Sequence, residues 1–205
     1  VKDLVAEKES GQREQMFIMG LRPSVHAAGW CATGGFVFLF VAILFTVITT
    51  TSFLPKSDRS LLWLYFTLFG CSELAFALAC AACFNRSKIA ALVAPSALFA
   101  SLLPCYLFVG SNRYEHIAGK YAASLLSATA FAFGADVLSD YEYSEIGVTW
   151  YNYHEGDFSF ASSLYMMAFD TMLYLAAAVY LDAVLPKTYG FQHHPLFFLG
   201  FRWSS

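Results

Sequence analysis

One stretch near the end of the chain restricts the fold more than any other. Residues 158–185 read FSFASSLYMMAFDTMLYLAAAVYLDAVL. At about 1.5 Å of rise per helical residue, this run is long enough to cross the roughly 30 Å of hydrocarbon in a bilayer. It is apolar on nearly every side, which excludes an amphipathic helix lying on a surface. Pro186 then stops the helix, and Tyr189-Gly190 turns the chain. A soluble domain has little use for such an element.

Composition points the same way. Hydrophobic residues make up 58% of the 205 and charged residues only 13%, the balance of a polytopic membrane segment. A net charge of −3 argues against nucleic acid as a partner. Cys80 and Cys83 form a C-x-x-C on an apolar run with no second pair nearby, so the five cysteines read as small buried residues. The chain starts at Val1 with no secretory leader, which reads as a piece of something longer.

Taken in order, residues 1–24 are polar, with charges of alternating sign. Glu9 and Arg13 stand at i,i+4 spacing, as on a short helix at the membrane surface. A solvated lead-in is the plainer reading of this stretch, and a lever that docks on a partner domain the sharper one. Residues 25–185 form the membrane region, with helices expected over about 25–54, 61–84, 89–110 and 158–185. Trp30 marks an interface at the first of these, and Pro95 and Pro104 kink the third. Residues 113–140 are weaker, interrupted by Lys120 and Asp136. They read as a re-entrant helical hairpin, with a full span as the alternative. Residues 139–157 form an acidic, aromatic loop, and 186–205 a linker.

With both ends in the cytoplasm, eight of the twelve basic residues fall on the cytoplasmic side, as the positive-inside rule asks. The sequon Asn85-Arg86-Ser87 then lies on the wrong side for glycosylation. The chain is expected to be an integral multi-pass protein of the plasma membrane or an internal membrane.

Two acids lie inside spans. Glu73 and Asp170 sit near mid-bilayer, where an ionised carboxylate costs a few kcal/mol. Each either lines a substrate path or latches helices, or else is protonated and bonded to a neighbour. The neighbours read from sequence are Tyr174 for Asp170 and Ser72 for Glu73. His193-His194 has no third ligand in range, so no metal site is expected. No phosphate-binding loop and no nucleophile–base pair is visible, so no catalytic residue is assigned and the chain itself requires no cofactor.

Several stretches together resemble the transmembrane domain of ABC transporters of the A subfamily, the eukaryotic lipid exporters. The first is Ser163-Leu164-Tyr165-Met166-Met167-Ala168-Phe169-Asp170-Thr171-Met172-Leu173-Tyr174, followed by Tyr180-Leu181-Asp182-Ala183-Val184-Leu185-Pro186 and Tyr189-Gly190. Glu7-Lys8-Glu9 and Glu14-Gln15-Met16-Phe17-Ile18-Met19-Gly20-Leu21 look like that family's intracellular coupling helix. Phe84 to Ala91 and Gly147 to Trp150 resemble its short cytoplasmic turn and the segment before its last helix. The end departs from the family pattern, with Pro195-Leu196-Phe197-Phe198 and Phe201-Arg202-Trp203 in place of a Pro-Trp-Tyr-Phe-like run.

The resemblance implies an all-α membrane domain that moves lipid or sterol-like substrates. It implies nucleotide-binding domains that hold ATP and Mg2+ outside this chain, and a second transmembrane half. Glu7, Lys8, Glu9, Arg13, Glu14, Met16, Met19 and Gly20 would receive their push. Asp170, Tyr174 and Glu73 would line the substrate path or latch helices, and Asp182, Pro186, Tyr189 and Gly190 would form the exit of the last helix. An ion carrier or channel, and a non-transporting truncated remnant, remain the competing readings.

Overall fold

The computed structural model describes residues 1–108, 117–156 and 158–185. The described residues are all-helical, with no strand among them. Two short helices open the chain, α1 (Lys2–Glu9) and α2 (Gln12–Ile18). Between them Gly11 stands at φ +73°, a left-handed conformation that costs glycine little and breaks the helix. The expected Glu9–Arg13 pair is therefore not made. The two residues lie on different helices, and each finds its partner elsewhere.

Among the described residues, four segments are long and apolar enough to cross a membrane. These are α3 (Pro23–Ser52), α4 (Arg59–Cys83), the run Ser87–Tyr106, and Phe160–Val184. Proline at the first position of α3 suits a helix start, because its missing N–H would have no helical partner there. The run Ser87–Tyr106 is broken. Helix α5 (Ser87–Ala100) carries Pro95 within it, and after a turn at Ser101-Leu102 a short α6 (Leu103–Tyr106) starts with Pro104 in its first turn. At that break the Ser101 carbonyl accepts a hydrogen bond from the Thr129 hydroxyl, so a neighbouring helix satisfies the interrupted backbone.

The weaker stretch folds as two helices, α7 (Ile117–Ala123) and α8 (Ser127–Tyr143), joined at 124–126. It is not one continuous span. Helix α8 also takes the first residues expected in the acidic loop, through Tyr143. The final helix, α9, runs Phe160–Val184, started by the Ser159 hydroxyl accepting from the Ser162 N–H. The parts of the expected hairpin at 109–116 and of the linker at 186–205 lie outside the described residues.

Helices α3 and α4 run antiparallel, with Phe45 beside Phe66 and Phe38 beside Gly70. Helices α4 and α9 run in the same direction, with Tyr65 near Phe160 at one level and Phe76 near Tyr174 at the next. The apolar core lies at the end where α4 and α9 begin. Leu61, Leu62, Tyr65, Val137, Phe160 and Met167 are buried there. Tyr65 stacks on Phe131 at 4.7 Å and donates its hydroxyl to the Phe131 carbonyl. Helix α8 can approach this closely because position 134 is glycine: a Cβ there would stand 2.6 Å from Ser163 Oγ and 2.7 Å from Tyr65 Cε2.

Much of the remaining apolar surface faces outward. Phe36, Phe40, Phe45 and Ile48 of α3, and Leu92 and Phe99 of α5, are exposed, as expected where lipid is the solvent. Cys71 and Cys83 also face outward rather than being buried, and all five cysteines are free.

Candidate interhelical latch and helix-end clamp

The two intramembrane acids have different surroundings. Glu73 on α4 accepts a hydrogen bond from Ser127 Oγ at 3.0 Å, which ties α4 to the start of α8. Ser72, its expected partner, instead donates to the Phe69 carbonyl one turn back, as hydroxyls in helices commonly do. Asp170 on α9 is fully buried, and neither carboxylate oxygen has a hydrogen-bond partner among the described residues. Tyr174 does not serve it. Its hydroxyl reaches the Leu125 carbonyl at 3.3 Å and lies 3.4 Å from the Ser127 N–H.

The buried residues of α9 are Phe160, Ala161, Ser163, Leu164, Met167 and Asp170, a single stripe at helical spacing. Asp170 is the last residue of that stripe. A polar group in this setting forfeits hydrogen bonds that a different helix arrangement or another chain segment could supply.

The second constellation involves α1 and α2, which pack across the ends of the long helices. Val5 is fully buried against Ala81 and Ala90. The solvated lead-in is thereby corrected: Lys8 and Arg13 are 8% and 7% exposed. Four charged side chains each reach a different long helix. Glu7 Oε2 accepts from Trp30 Nε1 at 3.2 Å and lies 3.0 Å from His26 Nε2, in the first turns of α3. Lys8 Nζ donates to the Ala82 and Phe84 carbonyls at the end of α4, both at 3.2 Å. Glu9 Oε2 accepts from Ser87 N–H at 2.9 Å and Ser87 Oγ at 2.6 Å, at the start of α5. Arg13 NH1 pairs with Asp182 Oδ1 at 3.1 Å, in the last turn of α9.

Two of the four follow the polarity of the helix they reach. Glu9 sits at a helix start, where unpaired N–H groups leave partial positive charge, and Lys8 at a helix end, where carbonyls leave partial negative charge, whereas Glu7 and Arg13 are held by side chains. Lys8 and Glu9 thus match the polarity of the end of α4 and the start of α5. The two hydrogen bonds from Ser87 hold the Glu9 carboxyl below its ordinary range.

Other residues of the expected site are placed as follows. Glu14 Oε1 lies 3.5 Å from Arg13 Nε, while its second oxygen is buried without a hydrogen bond. Met16 is half-buried, and Ile18, Met19 and Gly20 form an outward edge, with Ile18 86% and Met19 78% exposed. Pro186, Tyr189, Gly190 and His193-His194 lie outside the described residues. Among the described residues no cluster of His, Cys, Asp or Glu could hold a metal ion. Sequence reasoning missed Ser87, His26 and Ser127 as partners. A serine just after a short turn, at the first position of a helix, was the available signal for Ser87.

Behind the clamp lies a cavity of about 410 Å³ between α2, α3, α4 and α9, with Arg13, His26, Trp30 and Asp182 on its walls. A second, apolar cavity of about 210 Å³ continues between α3 and α4, past Leu4, Trp30 and Leu78, which line both.

Comparison with known proteins adds a family. The family described as ABC-2 family transporter protein matches residues 1–180. Mouse ATP-binding cassette sub-family A member 7 is 35% identical over 196 residues, covering 93% of this chain and 9% of its own length. Human phospholipid-transporting ATPase ABCA7 is 34% identical over 196 residues, with the same coverage of 93% and 9%. The mouse glucosylceramide transporter ABCA12 is 30% identical over 196 residues, 93% of this chain and 8% of that protein. The chain thus spans under a tenth of the length of these relatives.

Proposed function

Since the chain belongs to the ABC-2 transporter family, we propose that it is the membrane-spanning part of an ATP-driven transporter that moves lipid or sterol-like molecules. The observation that carries this reading is the four-way attachment of α1 and α2 to α3, α4, α5 and α9. An element fixed to four helix ends transmits a displacement to all of them together, as rigid bodies between two packed arrangements. In the proposed mechanism, nucleotide-binding domains elsewhere in the parent hold ATP and Mg2+ and close against the exposed Ile18–Met19–Gly20 edge. The chain carries no phosphate-binding loop of its own. Glu7, Lys8, Glu9 and Arg13 pass the push to the helices, and Asp182 receives it at the exit of α9.

Asp170 then acts as the latch. Its burial at the α4–α9 face argues against headgroup contact in this arrangement, and its unpartnered oxygens favour a second arrangement that satisfies them. The α7–α8 pair is proposed to dip into the outer leaflet beside the lipid being moved. With the clamp on the cytoplasmic side, Lys8, Arg13, Arg86 and Lys88 all lie at that side of the membrane, in line with the positive-inside rule. Relatives named as transporting phospholipid or glucosylceramide support a lipid substrate.

The test is reconstitution of the full-length parent in vesicles carrying a fluorescent phospholipid. ATP-dependent movement between leaflets is expected, with Met19→Asp abolishing it while the protein still folds. An ion conductance independent of ATP, with no lipid movement, would replace this reading with that of a channel.

A further inference from the structure

We propose that Cys80 and Cys83 form a thiol–disulfide switch at the strapped end of α4, whose oxidation by a low-molecular-weight disulfide releases the Lys8 strap. Of the five cysteines, only these two stand one helical turn apart on the same helix. Cys83 is the last residue of α4 and is exposed, whereas Cys80 is half-buried one turn back. The exposed thiol is the one that an external disulfide meets first, and the sheltered one is placed to resolve the product.

Lys8 ties this pair to the clamp. Its Nζ donates to the Ala82 and Phe84 carbonyls, both at 3.2 Å, and those residues flank Cys83 on either side. Side chains three apart on a helix have Cβ atoms about 5–6 Å apart, and a disulfide requires about 3.5–4.5 Å. Closing the bond must therefore draw Cys83 toward Cys80 by roughly 1–2 Å and retwist the final turn. In mid-helix such a shift would break backbone hydrogen bonds on both sides. At the last residue, with Phe84 already extended at φ −107° and ψ 143°, only one side resists. The carbonyls beside Cys83 turn with it, and Lys8 loses its paired acceptors.

The chemistry balances with one external disulfide. Cys83, as thiolate, attacks one of its sulfurs, the S–S bond breaks, and the leaving thiolate takes up the proton that Cys83 gave to water. Cys80 then gives up its own proton and attacks the Cys83 sulfur, expelling the second external thiol. Two thiols of the chain are oxidised to a disulfide, and the external disulfide is reduced to two thiols. The switch requires water at this end of α4 and no ATP, so its failure would leave the ATP-driven reading standing.

The experiment treats the full-length protein in nanodiscs with oxidised glutathione. Mass spectrometry follows the peptide that holds Cys80 and Cys83, and hydrogen exchange follows α1. A glutathione adduct on Cys83 is expected first, giving way to an internal disulfide. Exchange at α1 should then rise about two- to thirtyfold, the loss of one cation at a helix end, and return on adding dithiothreitol. Cys80→Ala should stop at the adduct, and Cys83→Ala should form neither product. In Lys8→Met, α1 is already loose and oxidation should add nothing more. An adduct that never resolves in the unsubstituted protein overturns the proposal, since the last turn would then not yield. So does an internal disulfide that leaves α1 exchange unchanged, or an equal rise in Cys83→Ala, which would place the sensitive thiol elsewhere.

Discussion

The two ends of the bundle are held together by different means. At one end Tyr65, Phe131, Phe160 and Met167 fill the space between α4, α8 and α9, and the loops lock over them. There Ser57 donates to Glu142 and accepts from the Val148 N–H, while the Asp58 carboxylate accepts from the Trp150 N–H. At the other end α3, α4, α5 and α9 are joined by four charged side chains beside a cavity. Close packing resists displacement because interdigitated side chains have few alternative arrangements. Charged straps around a void constrain the helix ends but leave room to shift. The packed end is thus suited to act as a pivot and the strapped end as the place where movement enters.

Truncating one apolar residue at each end tests this contrast most severely. Phe160→Ala should cost roughly 3–5 kcal/mol, as for a large aromatic removed from a packed core. Leu175→Ala, on the wall of the cavity, should cost well under half of that, since the space beside it is already open. Thermal denaturation of the detergent-solubilised parent measures both. Equal losses would mean that the clamp end is packed as tightly as the core.

Asp170 lies between the two ends, and the next effect in size concerns it. Asp170→Leu removes a buried polar group without a partner, so stability should rise by about 1–3 kcal/mol while ATP-driven lipid movement falls. A fall in stability instead would mean that a segment outside this chain already satisfies the carboxylate.

The sequence made the long helices legible because a membrane span is a local property, a matter of length and apolarity. The break in the Ser87–Tyr106 run was legible for the same reason, since Pro104 constrains its own neighbourhood. The clamp was only half legible. Glu7, Lys8, Glu9 and Arg13 were singled out through a family resemblance, but their partners stand far away in sequence: Ala82 for Lys8, Ser87 for Glu9, Asp182 for Arg13. The i,i+4 rule gave Glu9–Arg13 instead, because it assumes one continuous helix and Gly11 interrupts it. Asp170 shows the converse: the residue was conspicuous, but nothing local could show that Tyr174 bonds to the 125–127 turn rather than to it.

The clamp can be sharpened one strap at a time. Lys8→Met keeps the apolar stem but removes the ammonium from the α4 carbonyls. A loss of about 0.3–2 kcal/mol is expected, the range for a cation at a helix end. Its signature is greater protease or hydrogen-exchange access to α1, with the Phe160 end unchanged. Loosening at both ends together would show that the bundle responds as one body and has no pivot.

The smallest expected effect is the pH response of the Glu9 strap, which is exposed to solvent. The Ser87 hydroxyl and N–H favour the ionised carboxylate, so its folded pKa lies below the value of about 4.3 for a free glutamate. A depressed carboxyl stabilises the fold fully above its unfolded pKa, and the contribution is lost as pH falls through the lower, folded value. Between pH 8 and 6 hydrogen exchange at α1 should therefore be flat once corrected for intrinsic rate, and it should rise only below about pH 4. Glu9→Gln should show the looser exchange at every pH and lose the acid-dependent rise. If that rise survives the substitution, the acid sensitivity of the strapped end does not belong to the Glu9–Ser87 attachment.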